Sequence, residues 1–478
     1  MRIDHSLAIS IFCTALIMSC SKNDVIQPVS DTPDTNTESS NCKYLVGEVS
    51  RETRSIDELS EQVTASLGML MANNTHSYFE ETFKSPEIVD LFKNPFNGAV
   101  WQWQKHVFLY KTKDLAGNTI TLEGNMAFIA DTTHKERIKL ESVSLYHPIL
   151  VLSEEWYESY NDIIASTRPI YKALFVSYKP EGIGYSCGRR ILSSESTIHA
   201  RQAIDCELAA LELLEELGYS MSDDYYTESM GISNGSSFSL ATQKLVENSE
   251  PQEIRDRIRL KATYCGEGTM NYGDMFMTIS STLDREFDNL LDQLPALCSI
   301  TFINGEYYSH PELFEGIELS DYFSDAFNNL KVDNNGISMS ANDYISLGYY
   351  YSSDSIFENS GIITLRQILS PACLKSDDTI DESSDLIKRL TSAFSLDELS
   401  HGWQPQTPLR IIHSTKDDLI PYPTVAYNVR ELRTNPDGKI NKNVIFETMP
   451  GMDHMEAVLV LILKDLILKK HPCPLDHH

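Results

Sequence analysis

Short apolar runs alternate along this chain with longer segments in which apolar residues recur every three or four positions. Val143-Ser144-Leu145-Tyr146, Ala173-Leu174-Phe175-Val176-Ser177-Tyr178, Leu260-Lys261-Ala262-Thr263-Tyr264-Cys265-Gly266, Leu409-Arg410-Ile411-Ile412 and Val444-Ile445-Phe446-Glu447-Thr448-Met449 have strand length and composition. Val107 to Asn118 reads as a strand running into an Asp/Gly-type turn, with a second strand from Thr119 to Phe128. The segment Ser196 to Leu217 begins with hydroxyl residues, carries an apolar face and stops at Gly218, which predicts a helix. Strand and helix in alternation predict an α/β, doubly wound, mostly parallel sheet. The stretch 272–403 separates two predicted strands, and a bare loop of roughly 130 residues does not occur in a compact domain. Helical periodicity fills it at Phe276, Ile279, Leu283, Phe287, Leu290, Leu291 and Leu294. It recurs at Leu313, Phe314, Ile317, Tyr322, Phe323, Phe327 and Leu330, and again at Leu386, Ile387, Leu390 and Phe394. A large helical insertion is expected there, placed as a lid on the edge of the sheet that carries the chemistry.

That chemistry centres on Thr227-Glu228-Ser229-Met230-Gly231-Ile232-Ser233-Asn234-Gly235-Ser236, read as a strand turning sharply through Gly-x-Ser-x-Gly into a helix at Ser237-Phe238-Ser239-Leu240-Ala241. This is the pattern of a nucleophile elbow: the turn holds the Ser233 hydroxyl above the sheet, and glycines flank it because side chains there would collide. A serine hydroxyl needs a base to take its proton and a carboxylate to orient that base. Asp417 follows the strand from Leu409, four residues before Pro421, at the strand end where open α/β sheets place their sites. His454 follows the last strand on the turn Pro450-Gly451-Met452-Asp453. Ser233, Asp417 and His454 are therefore the expected triad. Asp418 is the adjacent alternative acid, His413 is expected to brace the turn, and Asp453 to structure the histidine loop.

These motifs, with Lys179-Pro180-Glu181-Gly182-Ile183-Gly184-Tyr185-Ser186, resemble the secretory lipase family that includes the yeast lipase A type, within the α/β-hydrolase superfamily. The resemblance runs from about Lys105 to His471, with Glu181 where the family more often has Asp. It implies a serine hydrolase of carboxylic esters acting through an acyl-enzyme, on a small-molecule, lipid or carbohydrate ester. The alternatives are a serine peptidase on the same fold and an inactive surface-binding lipoprotein. An acyl-transfer site needs two donors for the oxyanion. The backbone N–H of Asn234 is the first. The second is expected after Tyr146, where many relatives carry His-Gly; here Pro148 has no N–H. His147 and a residue just beyond, such as Ile149, both remain open.

Leu7 to Met18 is an apolar core of signal-peptide length, and Ile17-Met18-Ser19-Cys20 resembles a bacterial lipobox in which Cys20 is lipidated. The expected product is an exported lipoprotein, anchored to a membrane (outer membrane or cell surface) by lipid. The expected division is 1–20 signal peptide, 21–45 tether, 46–271 first part of the core, 272–403 insertion and 404–478 second part of the core. A formal charge of −30 argues against nucleic acid as a partner and against basic patches for anionic membranes. Cys42, Cys187, Cys206, Cys265, Cys298, Cys373 and Cys473 follow the signal without metal-like spacing, and a Cys42–Cys473 pair would tie the two ends together. Gly182-Ile183-Gly184 lacks the spacing of a dinucleotide loop, so neither cofactor nor metal is expected.

Overall fold

The computed structural model describes residues 42–59 and 101–462, apart from 136–138, 150–160, 163, 167, 280–281, 288–290, 335, 350–355, 358–359 and 378. Lipidation at Cys20 and the pairing of Cys473 lie outside the described residues.

Among the described residues the strands are β1 (Leu45–Ser55), β2 (Trp101–Lys113), β3 (Thr119–Asp131), β4 (Lys139–His147), β5 (Ala173–Tyr178), β6 (Ser220–Ile232), β7 (Leu260–Gly266), β8 (Lys331–Asn334), β9 (Ile337–Ser340), β10 (Leu409–Ser414) and β11 (Val444–Met449). Nine of them form one sheet in the order β1-β2-β3-β5-β4-β6-β7-β10-β11, and β8 and β9 make a separate hairpin. The first three strands run antiparallel, and the six from β5 to β11 are parallel. β5 and β10 are buried at every position, and so are the last six residues of β4 and of β6. A parallel strand covered on both faces must be apolar throughout, which is why these segments stand out as continuous runs.

Alternation along each strand divides its side chains between two layers. Val143, Leu145, Leu174 and Val176 pack with Ala203, Cys206, Ala209 and Ala210 of α1 (Ser196–Glu216). Tyr146, Phe175, Met230, Ile232 and Ile412 face the opposite way, onto Ala457, Val458 and Leu461 of α7 (His454–Leu461). α2 (Asn234–Asn248) follows the elbow and lies beside α1, and α6 (Tyr422–Arg433) connects β10 to β11 and packs on both.

Several elements exceed the sequence reading. β2 begins at Trp101 and β6 at Ser220, and β1 is not anticipated at all. Gln102, Gln104, Lys105 and His106 interrupt the apolar pattern of β2, yet they pair with β1 and β3 in unbroken register. Residues 272–403 hold α3 (Tyr272–Ile279), α4 (Leu294–Ser309) and α5 (Asp385–Phe394), joined by short helical turns. The periodicity at Leu386, Ile387, Leu390 and Phe394 is the buried face of α5. α4 is different: Pro295 to Glu306 are buried on every side. A helix without a polar face has no amphipathic period to detect. Leu313 to Leu330 form two 3₁₀ turns and the short helix Asp325–Asn329, because Gly316, at φ 78°, breaks the run.

Candidate active site

Chain direction across the sheet fixes where a site can form. β4 connects to β5 on its β3 side, whereas β6 connects to β7 on the other side, so the crossovers diverge above the carboxyl ends of β4 and β6. Open α/β sheets leave a crevice at such a point. Ser233 emerges there.

Its backbone sits at φ 55°, ψ −125°, a conformation that a residue with a β-carbon adopts only under constraint. The constraint is visible. Ser233 N–H donates to the Gly266 carbonyl at 2.8 Å, and Ser236 N–H returns to the Ser233 carbonyl at 3.0 Å. The Ser236 hydroxyl bridges the carbonyls of Gly231 (2.9 Å) and Gly266 (2.6 Å). A β-carbon at Gly231 would overlap the Gly235 carbonyl, and one at Gly235 would lie 2.6 Å from the His147 carbonyl oxygen. The turn closes only with glycine at both positions.

Ser233 Oγ lies 3.0 Å from His454 Nε2, across 221 residues of sequence. His454 Nδ1 lies 2.7 Å from Asp417 Oδ2. Asp417 Oδ1 accepts from the N–H groups of Leu419 (2.9 Å) and Ile420 (2.7 Å), which fixes the carboxylate plane. All three residues are buried. His454 opens α7, where Asp453 is the N-cap: its carboxylate accepts from Glu456 N–H at 2.8 Å. Asp418 accepts the His454 backbone N–H at 3.2 Å, so it holds the loop while Asp417 holds the ring. Burial draws the His454 pKa down, but the Asp417 charge and hydrogen bond outweigh it and leave the imidazole above its ordinary 6.5.

Asn234 is the first residue of α2, so its N–H has no acceptor within the helix and points along the positive end of the helix dipole. Its side chain is fixed from both ends: Nδ2 donates to the Ser193 carbonyl at 3.3 Å, and Oδ1 accepts from the Tyr272 hydroxyl at 2.7 Å. The His147 imidazole is turned into the packing between sheet and α2. Nε2 is 3.0 Å from Ser229 Oγ and Nδ1 is 3.4 Å from the Tyr178 hydroxyl. Burial pushes its pKa down to about 3, so the ring is neutral. The His147 carbonyl faces Gly235, and the chain then passes through buried Pro148 to half-buried Ile149.

One participant is absent from the sequence reading. Glu267 directly follows β7, at φ 46° and fully buried, beside the end of β10. Its Oε1 accepts from Ser414 N–H at 2.7 Å, and its Oε2 lies 3.4 Å from His413 Nδ1. His413 Nε2 is 2.7 Å from the Ile420 carbonyl, so that nitrogen carries the proton and a neutral ring leaves Nδ1 as an acceptor. Burial holds His413 below the ordinary histidine value. Glu267 Oε2 and His413 Nδ1 make no hydrogen bond of acceptable geometry at that distance, and the hydrogen bond of the Glu267 carboxyl goes to Asp417. Asp417, with His454 and two N–H groups on its oxygens, keeps the negative charge. Burial and the neighbouring Asp417 push Glu267 well above its ordinary range; burial acts upward on Asp417 too, but His454 and the Glu267 hydrogen bond hold Asp417 below its own. A position after strand-end Cys265-Gly266 is the only sequence signal that marks Glu267.

A raised carboxyl pKa contributes stability that is complete below the ordinary 4.5 and is lost as pH climbs toward the folded value. Gln is isosteric with the protonated acid and needs no proton. In Glu267→Gln, Tm should therefore fall less than in the parent between pH about 6 and about 9. Parallel melting curves for the two proteins across that range would show that Glu267 is already ionised.

No family model matches this chain, and no curated protein resembles it in sequence at a significant level. Solved structures do resemble it in three dimensions. The rice cell wall degrading esterase LipA from Xanthomonas oryzae superposes with a TM-score of 0.61 at 15% identity, covering 89% of this chain and 99% of that one. A protein from Legionella pneumophila described only as a hydrolase gives 0.59 at 13%, covering 89% and 98%. Candida antarctica lipase A, in its closed state, gives 0.48 at 13%, covering 77% and 79%, which carries no weight. At these identities the likeness concerns the fold. The chain has the α/β-hydrolase fold: a nine-stranded, mostly parallel sheet flanked by helices.

Proposed function

We propose that this protein is a serine hydrolase of carboxylic esters, with Ser233 as nucleophile, His454 as general base and Asp417 as the orienting acid. The observation that carries the reading is the hydrogen-bonded line from Ser233 through His454 to Asp417, standing at the switch point of the sheet with the N-terminus of α2 behind it. In this scheme His454 Nε2 takes the Ser233 proton as Oγ bonds to the acyl carbon. The oxyanion rests on Asn234 N–H, with the second donor assigned to the backbone beyond Pro148, at Ile149. The tetrahedral species collapses, the alcohol leaves with the proton from His454, and an acyl-Ser233 ester remains. Water then gives its proton to His454 and attacks the acyl carbon, releasing the acid and restoring Ser233.

Esters are favoured over amides because the Xanthomonas oryzae protein of the same fold is an esterase. Short and long p-nitrophenyl esters, set beside aminoacyl and prolyl anilides, test that choice. Turnover of anilides alone makes it a peptidase. Residues 272–403 belong to the same proposal as a cover: Ser233 is only 8% exposed, and Tyr272, at the start of that segment, touches Asn234.

The anchoring at Cys20 rests on sequence. Among the described residues no helix is long and apolar enough to cross a membrane. Cys20→Ser should move the protein from the membrane fraction to the soluble fraction and abolish labelling by a fatty-acid probe. Unchanged partitioning with unchanged labelling would remove the lipid anchor from the proposal.

A further inference from the structure

A second buried cluster lies apart from the Ser233 line. Glu195 immediately precedes α1. Glu306 sits in the last turn of α4, with His310 four residues on and so on the same helical face, and Asp397 follows α5 by three residues. One nitrogen or carboxylate oxygen from each of the four lies within 4.8 Å of the others. His310 Nε2 is 3.1 Å from Asp397 Oδ2, 3.3 Å from Glu195 Oε1 and 3.7 Å from Glu306 Oε2. Three carboxylates thus converge on one imidazole nitrogen. That nitrogen has at most a single proton to offer them.

The burial makes this arrangement costly. The Glu306 side chain is 0% exposed and Glu195 4%, while Asp397 and His310 keep 10% and 16%. Neither oxygen of Glu306 receives a hydrogen bond of acceptable geometry, and neither does Glu195 Oε1. Burial and the neighbouring Asp397 push the Glu306 carboxyl up to about 8, and the Ser194 hydroxyl acts against that rise. Buried carboxylates left without donors are offset by pairing, by taking up a proton or by a metal ion. The spacing favours a metal. Donors about 2.0–2.1 Å from a tetrahedral zinc ion stand about 3.3 Å from one another. The three separations from His310 Nε2, 3.1, 3.3 and 3.7 Å, bracket that edge. Calcium asks for six to eight oxygen ligands and longer bonds. The imidazole points to zinc rather than to calcium or magnesium, and zinc accepts carboxylate oxygens as its other ligands.

We propose that Glu195, Glu306, His310 and Asp397 form a zinc site that ties α4 and the segment after α5 to the loop before α1. That loop is the one that fixes Asn234, through the Ser193 carbonyl on one side and through Ser196 Oγ, 3.3 Å from the Tyr272 hydroxyl, on the other. Zinc would thus brace the helical segment against the corner that holds the helix N-terminus beside Ser233. The side formed by His310 and Asp397, the two members that keep some exposure, gives an ion its way in. No sequence pattern announces the site, since its donors come from three segments that span about 200 residues.

The test uses the full mature chain, stripped of metal and titrated with ZnCl2 or with CaCl2, reading uptake by calorimetry and elemental analysis and stability by Tm. Expected are one equivalent of zinc and a rise in Tm on loading, both lost in Glu306→Gln and in Asp397→Asn. In zinc-free buffer the same variants should melt no lower than the parent, because each removes a crowded carboxylate. That last comparison separates a lost ligand from a damaged fold, and none of these readouts depends on hydrolysis. Absence of zinc uptake, uptake unchanged in both variants, or uptake of calcium in place of zinc would each overturn the assignment.

Discussion

Ser233→Ala is expected to lower kcat/KM toward p-nitrophenyl esters by about 10⁴-fold or more, because the members of such a line act as a unit and the loss of the nucleophile removes the acyl-enzyme route. The fold should not notice. Alanine keeps the β-carbon that the φ of 55° already accommodates, and the hydrogen bonds closing the elbow belong to the backbone and to Ser236. Tm is expected to stay within about 2 °C of the parent, since no buried contact beyond one hydroxyl is removed. A variant that keeps most of the parent's esterase activity would place the nucleophile elsewhere. A parent inactive on every ester and anilide would favour a binding protein on a hydrolase scaffold.

The second large effect is expected from Asp417→Asn, a loss of about 10⁴-fold at neutral pH with little change in fold. Asn can still accept the N–H groups of Leu419 and Ile420 through its oxygen. Its amide then presents a donor to His454 Nδ1, which drives the imidazole proton onto Nε2, the nitrogen facing Ser233. A base already protonated at that atom cannot take the serine proton. The pH dependence carries a sign as well. In the parent, kcat/KM should fall as pH drops through the His454 value, which lies above 6.5 because Asp417 favours the imidazolium. Without that charge the imidazolium loses its support, so the acid limb of the residual activity should move to lower pH. A pH–rate profile of both proteins reads this directly. An unchanged limb would mean that another carboxylate orients the ring; Asp418, bonded to the His454 backbone, is the first to examine.

How much of this was legible beforehand follows from what is local. The parallel strands and the elbow were visible because burial on both faces demands unbroken apolar runs, and because the tight turn at Ser233 demands glycine at 231 and 235. The order serine, acid, histidine gave the three side chains that lie in one line. α5 was visible through its apolar face, whereas α4, buried all round, had no period to read.

Local residue order therefore determined the sheet's parallel core, the strained turn and the chemistry of its three candidate groups. Tertiary structure alone decided that Glu267 lies buried beside Asp417 with its pKa raised, that the His147 ring serves Ser229 and Tyr178, and that Glu195, Glu306, His310 and Asp397 meet at one point. The physical reason is common to all three. Whether a carboxyl or an imidazole is charged, paired or ligating depends on its burial and on neighbours brought from distant segments, and no local pattern records either one.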